Sequence, residues 1–184
     1  GISGIFFFKG NKKIKKSHLE KMNDLLGHRG PDGKGLWISQ NRKIGFGHTR
    51  LSILDLTSSA NQPFIDITRS YVLTFNGEIY NFKEIKKLLL RKGYRFITKN
   101  SDTEVLLFSY IEWGLKCVDK FRGMFAFAIW DNIKKKVFLV RDRVGVKPLY
   151  YKLDSEKLIF SSEIKAILAD SDYIPEVDEE SMYH

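Results

Sequence analysis

The sequence predicts an α+β fold in which β-sheets are stacked against each other and covered by helices on the outside. Short strand-like runs outnumber helical stretches along the 184 residues. Several of these runs, such as residues 124–130, are apolar at almost every position, which is typical of strands buried on both faces. Strands covered on both sides, together with few helices, favour stacked sheets between helical layers.

The first half of the chain alternates predicted strands with predicted helices. Strands are expected at residues 5–8, 36–39, 43–48 and 71–75, and the second and third form a hairpin across the polar turn 40–42. The fourth strand ends at Asn76-Gly77, a pair that is common in tight turns. Helices are expected at residues 17–26, 81–91 and 101–113.

Capping residues define the beginnings of two of these helices. Ser17 and Ser101 are the expected N-caps, and a glutamate three residues later, Glu20 or Glu104, completes a capping box. A glycine follows the second and the third helix, as is common where a helix ends.

The second half of the chain is richer in strands. Runs at residues 124–130, 136–141, 149–153 and 158–161 are strand-like, and short charged or Asp/Asn turns join them. A short helix is expected at residues 162–168, and the segment after it is acidic and irregular. No internal repeat and no long linker divides the chain. We therefore expect one domain at residues 1–170 and the start of a linker at residues 171–184.

The composition excludes several classes of protein. No apolar run approaches the about 18 to 20 residues of a membrane span, so we expect no membrane partner. The one cysteine, Cys117, excludes a framework of internal disulfides and favours a reducing, cytoplasmic location. The net charge of +9 raises the question of nucleic acid, but the lysines lie in turns and on the polar face of one helix. We therefore expect solvated lysines and no nucleic-acid partner, with an anionic partner surface as the alternative.

Polar clusters interrupt the apolar pattern at the ends of predicted elements, where functional sites are often built. They lie at residues 28–33, 47–53, 75–81 and 101–104. Each has a structural interpretation. Asn76-Gly77 suits a turn, Arg50 can pair with Asp55, and a helix dipole favours Asp102 in a first turn. No His, Cys and carboxylate set has convincing zinc spacing, and no Walker-type glycine loop is present.

Together the clusters predict a pocket for a free amino acid. The guanidinium of Arg50 suits a bidentate contact with an α-carboxylate. The carboxylates of Glu78 and Asp102 suit an α-ammonium group. Asn76 and the backbone N–H of Gly77 supply two donors to a developing oxyanion, as acyl transfer requires. A nucleophile is missing from this set.

The order of these motifs resembles the glutaminase domain of glutamine-hydrolysing asparagine synthetases, a class II glutamine amidotransferase. The resemblance extends from Ser3-Gly4-Ile5 to about Asp170, which is almost the whole chain. It passes through HRGPD at 28–32, HTRLSI at 48–53, NGEIYN at 76–81, SDTEV at 101–105, RGMFAFA at 122–128, RDRVGVKPLYY at 141–151 and SSEIKA at 161–166. One such motif could arise by chance, whereas the ordered set is specific.

The resemblance implies an N-terminal-nucleophile hydrolase fold, which is a four-layer α/β/β/α sandwich of two antiparallel sheets. In this family the mature chain begins Cys-Gly-Ile, the cysteine thiolate attacks the glutamine amide, and its own α-amine acts as the base. The resemblance places the oxyanion hole at Asn76 and Gly77, and it places the loop at residues 28–32 close to the pocket.

The resemblance also implies the residues that bind the substrate. The α-carboxylate of glutamine is held by Arg50, and its α-amine is held by Glu78 and Asp102. The backbone near Leu51 and Ile53 lines the pocket.

The catalytic position departs from the family pattern. Ser3 stands where the resemblance is taken to place the nucleophilic cysteine, and Gly1-Ile2 precede it. A serine hydroxyl is ionised far less than a thiol, and Ser3 has a peptide N–H in place of the free amine. Cys117 lies in an apolar stretch and is expected to be inert. We therefore expect the chain as given to be inactive as a glutaminase.

Three origins of this departure are open. Gly1-Ile2 can be a remnant of expression ahead of an engineered Cys→Ser change. The serine can instead be natural, in a domain that binds without hydrolysis. Finally, removal of Gly1-Ile2 would expose Ser3 as an N-terminal serine nucleophile.

Two functional hypotheses follow. In the first, the chain hydrolyses glutamine and supplies ammonia to an ATP-dependent amidation in a C-terminal synthetase domain of the same polypeptide, after His184. In the second, it binds glutamine or braces the synthetase without hydrolysis. Both place ATP and magnesium in the synthetase domain, with no cofactor or metal in this one. The acceptor, aspartate or another, is chosen by that second domain, and a homodimer is left open.

Overall fold

Two antiparallel sheets face each other in the protein, and helices cover their outer sides. The computed structural model describes residues 1–51 and 61–169. Ile53, predicted to line the pocket, and Asp55, a suggested partner of Arg50, lie outside these ranges. The predicted linker at residues 171–184 also lies outside them.

The described residues form nine strands and four α-helices. The strands are β1 (Ile2–Phe7), β2 (Gly33–Ile38), β3 (Ile44–Arg50), β4 (Phe64–Ile65), β5 (Tyr71–Ile79), β6 (Gly123–Asp131), β7 (Lys136–Arg141), β8 (Tyr150–Leu153) and β9 (Lys157–Ser161). The helices are α1 (Lys16–Asp24), α2 (Phe82–Arg91), α3 (Asp102–Trp113) and α4 (Ile164–Ile167). None of these helices is long and apolar enough to cross a lipid bilayer.

The strands are divided between two sheets. The first sheet has the spatial order β2-β3-β1-β9-β8, and the second has the order β4-β5-β6-β7. Each pair of neighbouring strands is antiparallel. The pairing of β2 with β3 confirms the predicted hairpin across residues 40–42.

Strand alternation divides the apolar side chains among three cores. Along β6, Ala126, Ala128 and Trp130 pack in the central core between the sheets, whereas Phe127 and Ile129 pack with α2 and α3. A third core lies between the first sheet and α1 with α4. Burying each large apolar side chain stabilises the fold by about 1.5 to 3 kcal/mol. The predicted α/β/β/α sandwich, with residues 124–130 buried on both faces, is thereby confirmed.

The capping predicted for α1 is wrong, although the helix exists. The helix begins at Lys16, the N-cap position is Lys15, and no side chain caps it. Ser17 therefore lies inside the first turn. The core beneath the helix, which contains Leu19 and Met22, holds the helix in place without a capping hydrogen bond.

The capping box predicted for α3 is also replaced by another arrangement. Ser101 does occupy the N-cap position, but its side chain makes no cap hydrogen bond. The buried carboxylate of Glu104 accepts hydrogen bonds from the backbone N–H groups of Ile97 at 2.9 Å and Thr98 at 2.8 Å. Glu104 therefore anchors the segment before the helix.

Asn76-Gly77 is not a turn, because β5 continues through it to Ile79. Gly77 pairs with Phe125 of β6 and has φ of 150°. A Cβ atom at Gly77 would lie 2.1 Å from the carbonyl oxygen of Met124. Glycine is required here because the two strands approach closely, and the extended strand carries its polar residues past the end of β4.

Packing at the centre of the first sheet yields a stability prediction. A Cβ atom on Gly4 would lie 2.3 Å from the ring of Phe160. We expect Gly4→Ala to lower the free energy of unfolding by about 1 to 3 kcal/mol, because overpacking forces neighbouring side chains out of their rotamers. Urea unfolding measures the change. Gly27→Ala is the matched control, since nothing lies within 4 Å of the position that its added methyl group would take. Equal losses in the two variants would contradict the packing explanation.

Candidate active site

A pocket of ≈ 540 Å³ opens at one end of the sandwich. It lies where β1 begins, where β3 ends, along the second half of β5 and at the first turn of α3. Its lining includes Gly1, Arg50, Asn76, Glu78 and Asp102. The volume lies within the range of about 300 to 1,000 Å³ that is typical of small-molecule sites.

Two strands from different sheets supply the polar walls of the pocket. The Nε2 atom of His48, in β3, lies 3.1 Å from the carbonyl oxygen of Phe75 in β5. The hydroxyl of Thr74 in turn donates to the carbonyl oxygen of Gly47 at 3.2 Å. Alternate residues of a strand share a face. The side chain of Arg50 therefore points toward the second sheet, as that of His48 does. The side chains at positions 76 and 78 lie on the same face as Thr74, toward the first sheet.

The acidic wall combines a strand residue with a helix residue. Asp102 is 6% exposed, and its Oδ2 atom accepts a hydrogen bond from the backbone N–H of Ile79 at 3.0 Å. Burial raises the pKa of Asp102 to about 6, and the nearby charge of Glu78 adds to this rise. A cation between these two carboxylates would remove their repulsion and favour the ionised form of Asp102.

Arg50 supplies positive charge from the other side of the pocket. It is the last residue of β3, and its Nη1 atom donates to the Oδ1 atom of Asn61 at 2.6 Å. Leu51, the next residue, is 56% exposed and also lines the pocket. A guanidinium on one wall and two carboxylates on another match the two charged groups of a free amino acid.

The structure brings most of the predicted site residues together. The pocket lining contains the predicted residues Arg50, Leu51, Asn76, Gly77, Glu78 and Asp102. It also contains His28 and Arg29 of the loop predicted to lie close by. Their individual roles in binding and in the oxyanion hole stay predictions.

The structure corrects the predicted placement of Ser3. Ser3 does not line the pocket, and its hydroxyl is fully buried without a hydrogen-bond partner among the described residues. It lies on the same face of β1 as Ile5, beneath α1, and the Oδ1 atom of Asn23 borders the same space beside Gly47. A serine in this layer cannot reach a ligand in the pocket.

Gly1 occupies the place that Ser3 was expected to hold. It lines the pocket, and its nitrogen donates a hydrogen bond to the carbonyl oxygen of Thr49 at 2.8 Å. Burial lowers the pKa of the Gly1 amino group to about 5, and the positive charges of Arg29 and Lys147 add to this effect. The pocket therefore favours a neutral amine at this position.

Gln62 was not among the predicted site residues, yet it lines the pocket. Its Oε1 atom accepts a hydrogen bond from the backbone N–H of Phe75 at 2.6 Å, and its Nε2 atom donates to Thr103 at 3.5 Å. This side chain continues the β5 ladder beyond β4, whose Phe64 pairs with Leu73. No local sequence pattern marks Gln62, because its partners are distant in the chain.

A cluster of charges borders the pocket beside Gly1. The carboxylate of Glu163 contacts the Nε2 atom of His28 at 2.7 Å, the Nε atom of Arg29, and the Nζ atom of Lys165 at 3.0 Å. Partial burial by itself raises the pKa of Glu163, but hydrogen bonds from Lys165, Arg29 and His28 outweigh it and lower the value to about 2. Glu163 therefore joins the loop at residues 28–32 to the start of α4.

Cys117 is confirmed as a buried residue remote from the pocket. It lies in the 3₁₀ segment Gly114–Lys120, is fully buried and packs in the core with α2 and α3. Burial raises the pKa of its thiol to about 12. A thiol that is neutral and enclosed does not act as a nucleophile.

Known proteins are similar to this chain in sequence and in fold. Residues 1–184 match a family described as glutamine amidotransferase domain. "Asparagine synthetase [glutamine-hydrolyzing] 3" of Bacillus subtilis (strain 168) is 42% identical over 180 residues, which are 97% of this chain and 29% of that protein. "Amidase chry2" of Gibberella zeae is 41% identical over 160 residues, which are 87% of this chain and 24% of that protein. The chain thus spans about a quarter of the length of these relatives.

A solved structure has the same architecture. Glutamine phosphoribosylpyrophosphate amidotransferase from B. subtilis, complexed with ADP and GMP, aligns with a TM-score of 0.74 at 22% identity. The alignment covers 91% of this chain and 43% of that one. At this identity the match shows a shared fold, which is the N-terminal-nucleophile type that the motifs predicted.

The burial of His48 predicts how stability depends on pH. Burial lowers the pKa of His48 to about 3 from an ordinary value of 6.5, and nearby positive charge contributes. The unfolded chain binds a proton that the folded protein excludes. The contribution of His48 to stability is therefore fully present above pH 6.5 and is lost as the pH falls toward 3, by up to about 1.4 kcal/mol per pH unit.

His48→Gln tests this prediction, because the amide keeps a donor for Phe75 and does not titrate. Equilibrium unfolding across the acid range should show a shallower loss of stability in the variant than in the parent. Identical slopes would mean that His48 is protonated in the folded protein.

Proposed function

Because the chain belongs to the glutamine amidotransferase domain family, we propose that it hydrolyses glutamine to glutamate and ammonia. The observation that carries this proposal is the convergence of a cation, two carboxylates and an amide in one pocket beside the start of β1. A free amino acid with an amide side chain is complementary to this set of groups.

In the proposed complex, the charged groups orient the substrate. Arg50 binds the α-carboxylate through its planar guanidinium, and Glu78 and Asp102 bind the α-ammonium group. The side-chain amide is then directed toward Asn76 and Gly77, which donate hydrogen bonds to the oxygen that becomes negative in the tetrahedral intermediate. The side chain of Asn76 makes no hydrogen bond to the described residues, so its amide is available for this role.

The nucleophile is proposed to be a cysteine joined to the nitrogen of Gly1. Gly1-Ile2 then match the Gly-Ile of the family's Cys-Gly-Ile start, and a residue attached at Gly1 begins beside the pocket. Its thiolate attacks the side-chain carbonyl carbon of glutamine, and the C–N bond breaks as ammonia leaves with a proton from the amine base. Water then hydrolyses the thioester, which releases glutamate and restores the thiol. Ser3 takes no part in this chemistry, so inactivity would follow from a missing cysteine and not from Ser3.

The use of the ammonia is proposed from the relatives. Several longer relatives are named as glutamine-hydrolysing asparagine synthetases, which supports an amidation in a second domain of the same polypeptide. We propose that ATP and magnesium serve that second domain. Two other relatives are named as amidases, so a different use of the ammonia is the alternative. We favour aspartate as the acceptor because the 141–151 and 161–166 motifs resemble the asparagine synthetase branch.

A non-hydrolysing glutamine-binding or structural domain is the second candidate. The observation that favours it is that the pocket lining contains no cysteine or other strong nucleophile among the described residues. The two candidates predict the same binding and differ in turnover.

Turnover separates the two candidates. We expect protein whose mature chain begins Cys-Gly-Ile, with the cysteine joined to Gly1, to release ammonia from glutamine. A matched version with serine joined to Gly1 should release far less, because the hydroxyl is a weaker nucleophile at neutral pH. Ser3→Ala in the cysteine version should leave turnover unchanged. Absence of ammonia release from the cysteine version would refute the glutaminase proposal.

Binding tests the assignment of the pocket. We expect Arg50→Ala to weaken glutamine binding by about 2 to 5 kcal/mol, because the substrate carboxylate loses its charge-assisted partner. Isothermal titration measures the affinity. Arg91→Ala is the matched control, since Arg91 is exposed in the last turn of α2 and remote from the pocket lining. Unchanged binding in Arg50→Ala would show that the α-carboxylate lies elsewhere.

A further inference from the structure

A second cavity opens at the end of the sandwich opposite the candidate active site. It has a volume of ≈ 1380 Å³ and lies between the two sheets, where β1 ends and where the β2–β3, β4–β5 and β6–β7 turns lie. We call it the distal cavity, and its lining includes Phe6, Trp37, Arg69, Trp130 and Lys135. No described residue lines both this cavity and the active-site pocket. The proposed glutaminase chemistry therefore leaves the distal cavity without a function.

Aromatic side chains form the walls of the distal cavity from both sheets. Phe6 and Trp37 belong to the first sheet, Phe8 follows β1, and Trp130 belongs to the second sheet. The ring centroid of Phe6 lies 5.9 Å from that of Phe8 and 5.4 Å from that of Trp130. Phe8 is 39% exposed, so the group of rings is open to solvent. A flat apolar ligand would gain both buried area and ring contacts against such walls.

The charged groups of the lining are mostly positive. The cations are Lys43 in the β2–β3 turn, Arg69 in the β4–β5 turn and Lys135 in the β6–β7 turn. The one carboxylate among the described lining residues, that of Asp66, is 6% exposed and accepts two backbone N–H groups of its own turn at 2.9 and 2.6 Å. Asp66 therefore stabilises its turn, and the excess of positive charge favours an anionic ligand.

None of the three cations pairs with a carboxylate among the described residues. The Nζ atom of Lys43 donates to two backbone carbonyl oxygens at 2.7 and 2.9 Å. The Nζ atom of Lys135 donates to the amide oxygen of Asn132 at 2.8 Å. The guanidinium of Arg69 has no hydrogen-bond or ion-pair partner in the described part of the chain. The positive charge of each group is therefore available to a ligand.

Arg69 and Lys135 lie in turns that are joined directly. The backbone N–H of Asn132 in one turn donates to the carbonyl oxygen of Ser70 in the other at 2.9 Å. Arg69 has φ of 58° and Lys135 has φ of 56°, in the left-handed region that favours glycine. Residues in such disfavoured conformations are concentrated at functional sites. The backbone strain therefore supports a ligand-binding role for these two side chains.

The lining is unsuited to the ligand class of the active site. A free amino acid needs a carboxylate for its ammonium group, as Glu78 and Asp102 are proposed to provide, whereas Asp66 is already hydrogen-bonded. A neutral apolar ligand would make no use of the three cations, and an aliphatic anion would make no use of the ring faces. An aromatic anion is complementary to both parts of the lining.

We propose that the distal cavity is a second ligand site, which binds a planar aromatic molecule that carries a negatively charged group. The aromatic part packs against Phe6, Phe8 and Trp130, and the anionic group lies at the rim beside Arg69 and Lys135. Because the distal cavity shares no described lining residue with the active-site pocket, binding there does not depend on glutamine hydrolysis.

NMR titration of the protein with anilinonaphthalene sulfonate, an aromatic anion, tests the site. The chain has three tryptophans, and two of them, Trp37 and Trp130, line the distal cavity. Trp113, the last residue of α3, is the internal control because it lines neither this cavity nor the active-site pocket. We expect saturable shifts of the indole N–H signals of Trp37 and Trp130, with the signal of Trp113 unchanged. Equal shifts of all three signals, or no saturable shift, would overturn the proposal.

The rim cations are tested by comparing two probes. Phenylnaphthylamine has the same aromatic rings without the sulfonate. Arg69→Gln/Lys135→Gln should weaken binding of anilinonaphthalene sulfonate severalfold and leave binding of phenylnaphthylamine unchanged, because only the first probe carries a charge. Lys87→Gln/Lys116→Gln is the matched control, since it removes the same charge from two exposed lysines outside the lining. An equal loss of affinity in the two double variants would contradict a role of the rim and overturn the proposal.

The aromatic walls are tested by Phe8→Ala, which should weaken binding of both probes severalfold. Leu88→Ala is the matched control, because Leu88 is 44% exposed on α2, outside the lining, and Phe8 is 39% exposed. Unchanged binding in Phe8→Ala would overturn the proposal. Tighter binding of laurate, an aliphatic anion, than of anilinonaphthalene sulfonate would also overturn it, since that result indicates a site for fatty acids.

Discussion

The contact between β3 and β5 is the interaction on which the pocket depends. These strands belong to different sheets, and polar bonds join them across the gap at the end where the apolar core stops. His48 contacts the carbonyl oxygen of Phe75, and the N–H of the same residue donates to Gln62. Because Phe75 is held from both sides, the next residue, Asn76, is presented to the pocket from a fixed backbone. A donor in a preorganised position stabilises a developing charge without reorganisation during the reaction.

Burial controls the charges of the pocket as much as the neighbouring residues do. Burial raises the pKa of Asp102 to about 6 and lowers that of His48 to about 3. Both shifts disfavour the charged form, and both come from the same exclusion of water at the mouth of the sandwich. A ligand ammonium would reverse the first shift, because it compensates the carboxylates. His48 lacks such a partner and serves as a neutral link between the sheets.

Two hydrogen-bonded clusters hold the rim of the pocket in place. Glu163 joins the loop at residues 28–32 to α4, and the Arg141-Asp142 network holds Lys147, which also lines the pocket. The stretches at residues 141–151 and 161–166 were recognised in the sequence as parts of a family pattern. Neither contains a residue predicted to bind substrate. The hydrogen bonds of these two stretches hold the loops whose conformation decides where the pocket ends.

The sequence by itself determined the layered fold, the hairpin of β2 and β3, and the gathering of Arg50, Glu78 and Asp102 in one pocket. Those features follow from local periodicity and from the order of motifs along the chain. Only the tertiary structure decided that Ser3 faces α1 and that Gly1 reaches the pocket. Side chains alternate along a strand, so a shift of one or two positions in a motif moves a residue to another face or another end of the strand. The part played by Gln62 was likewise decided by tertiary structure, because its hydrogen bonds join segments that only folding brings together.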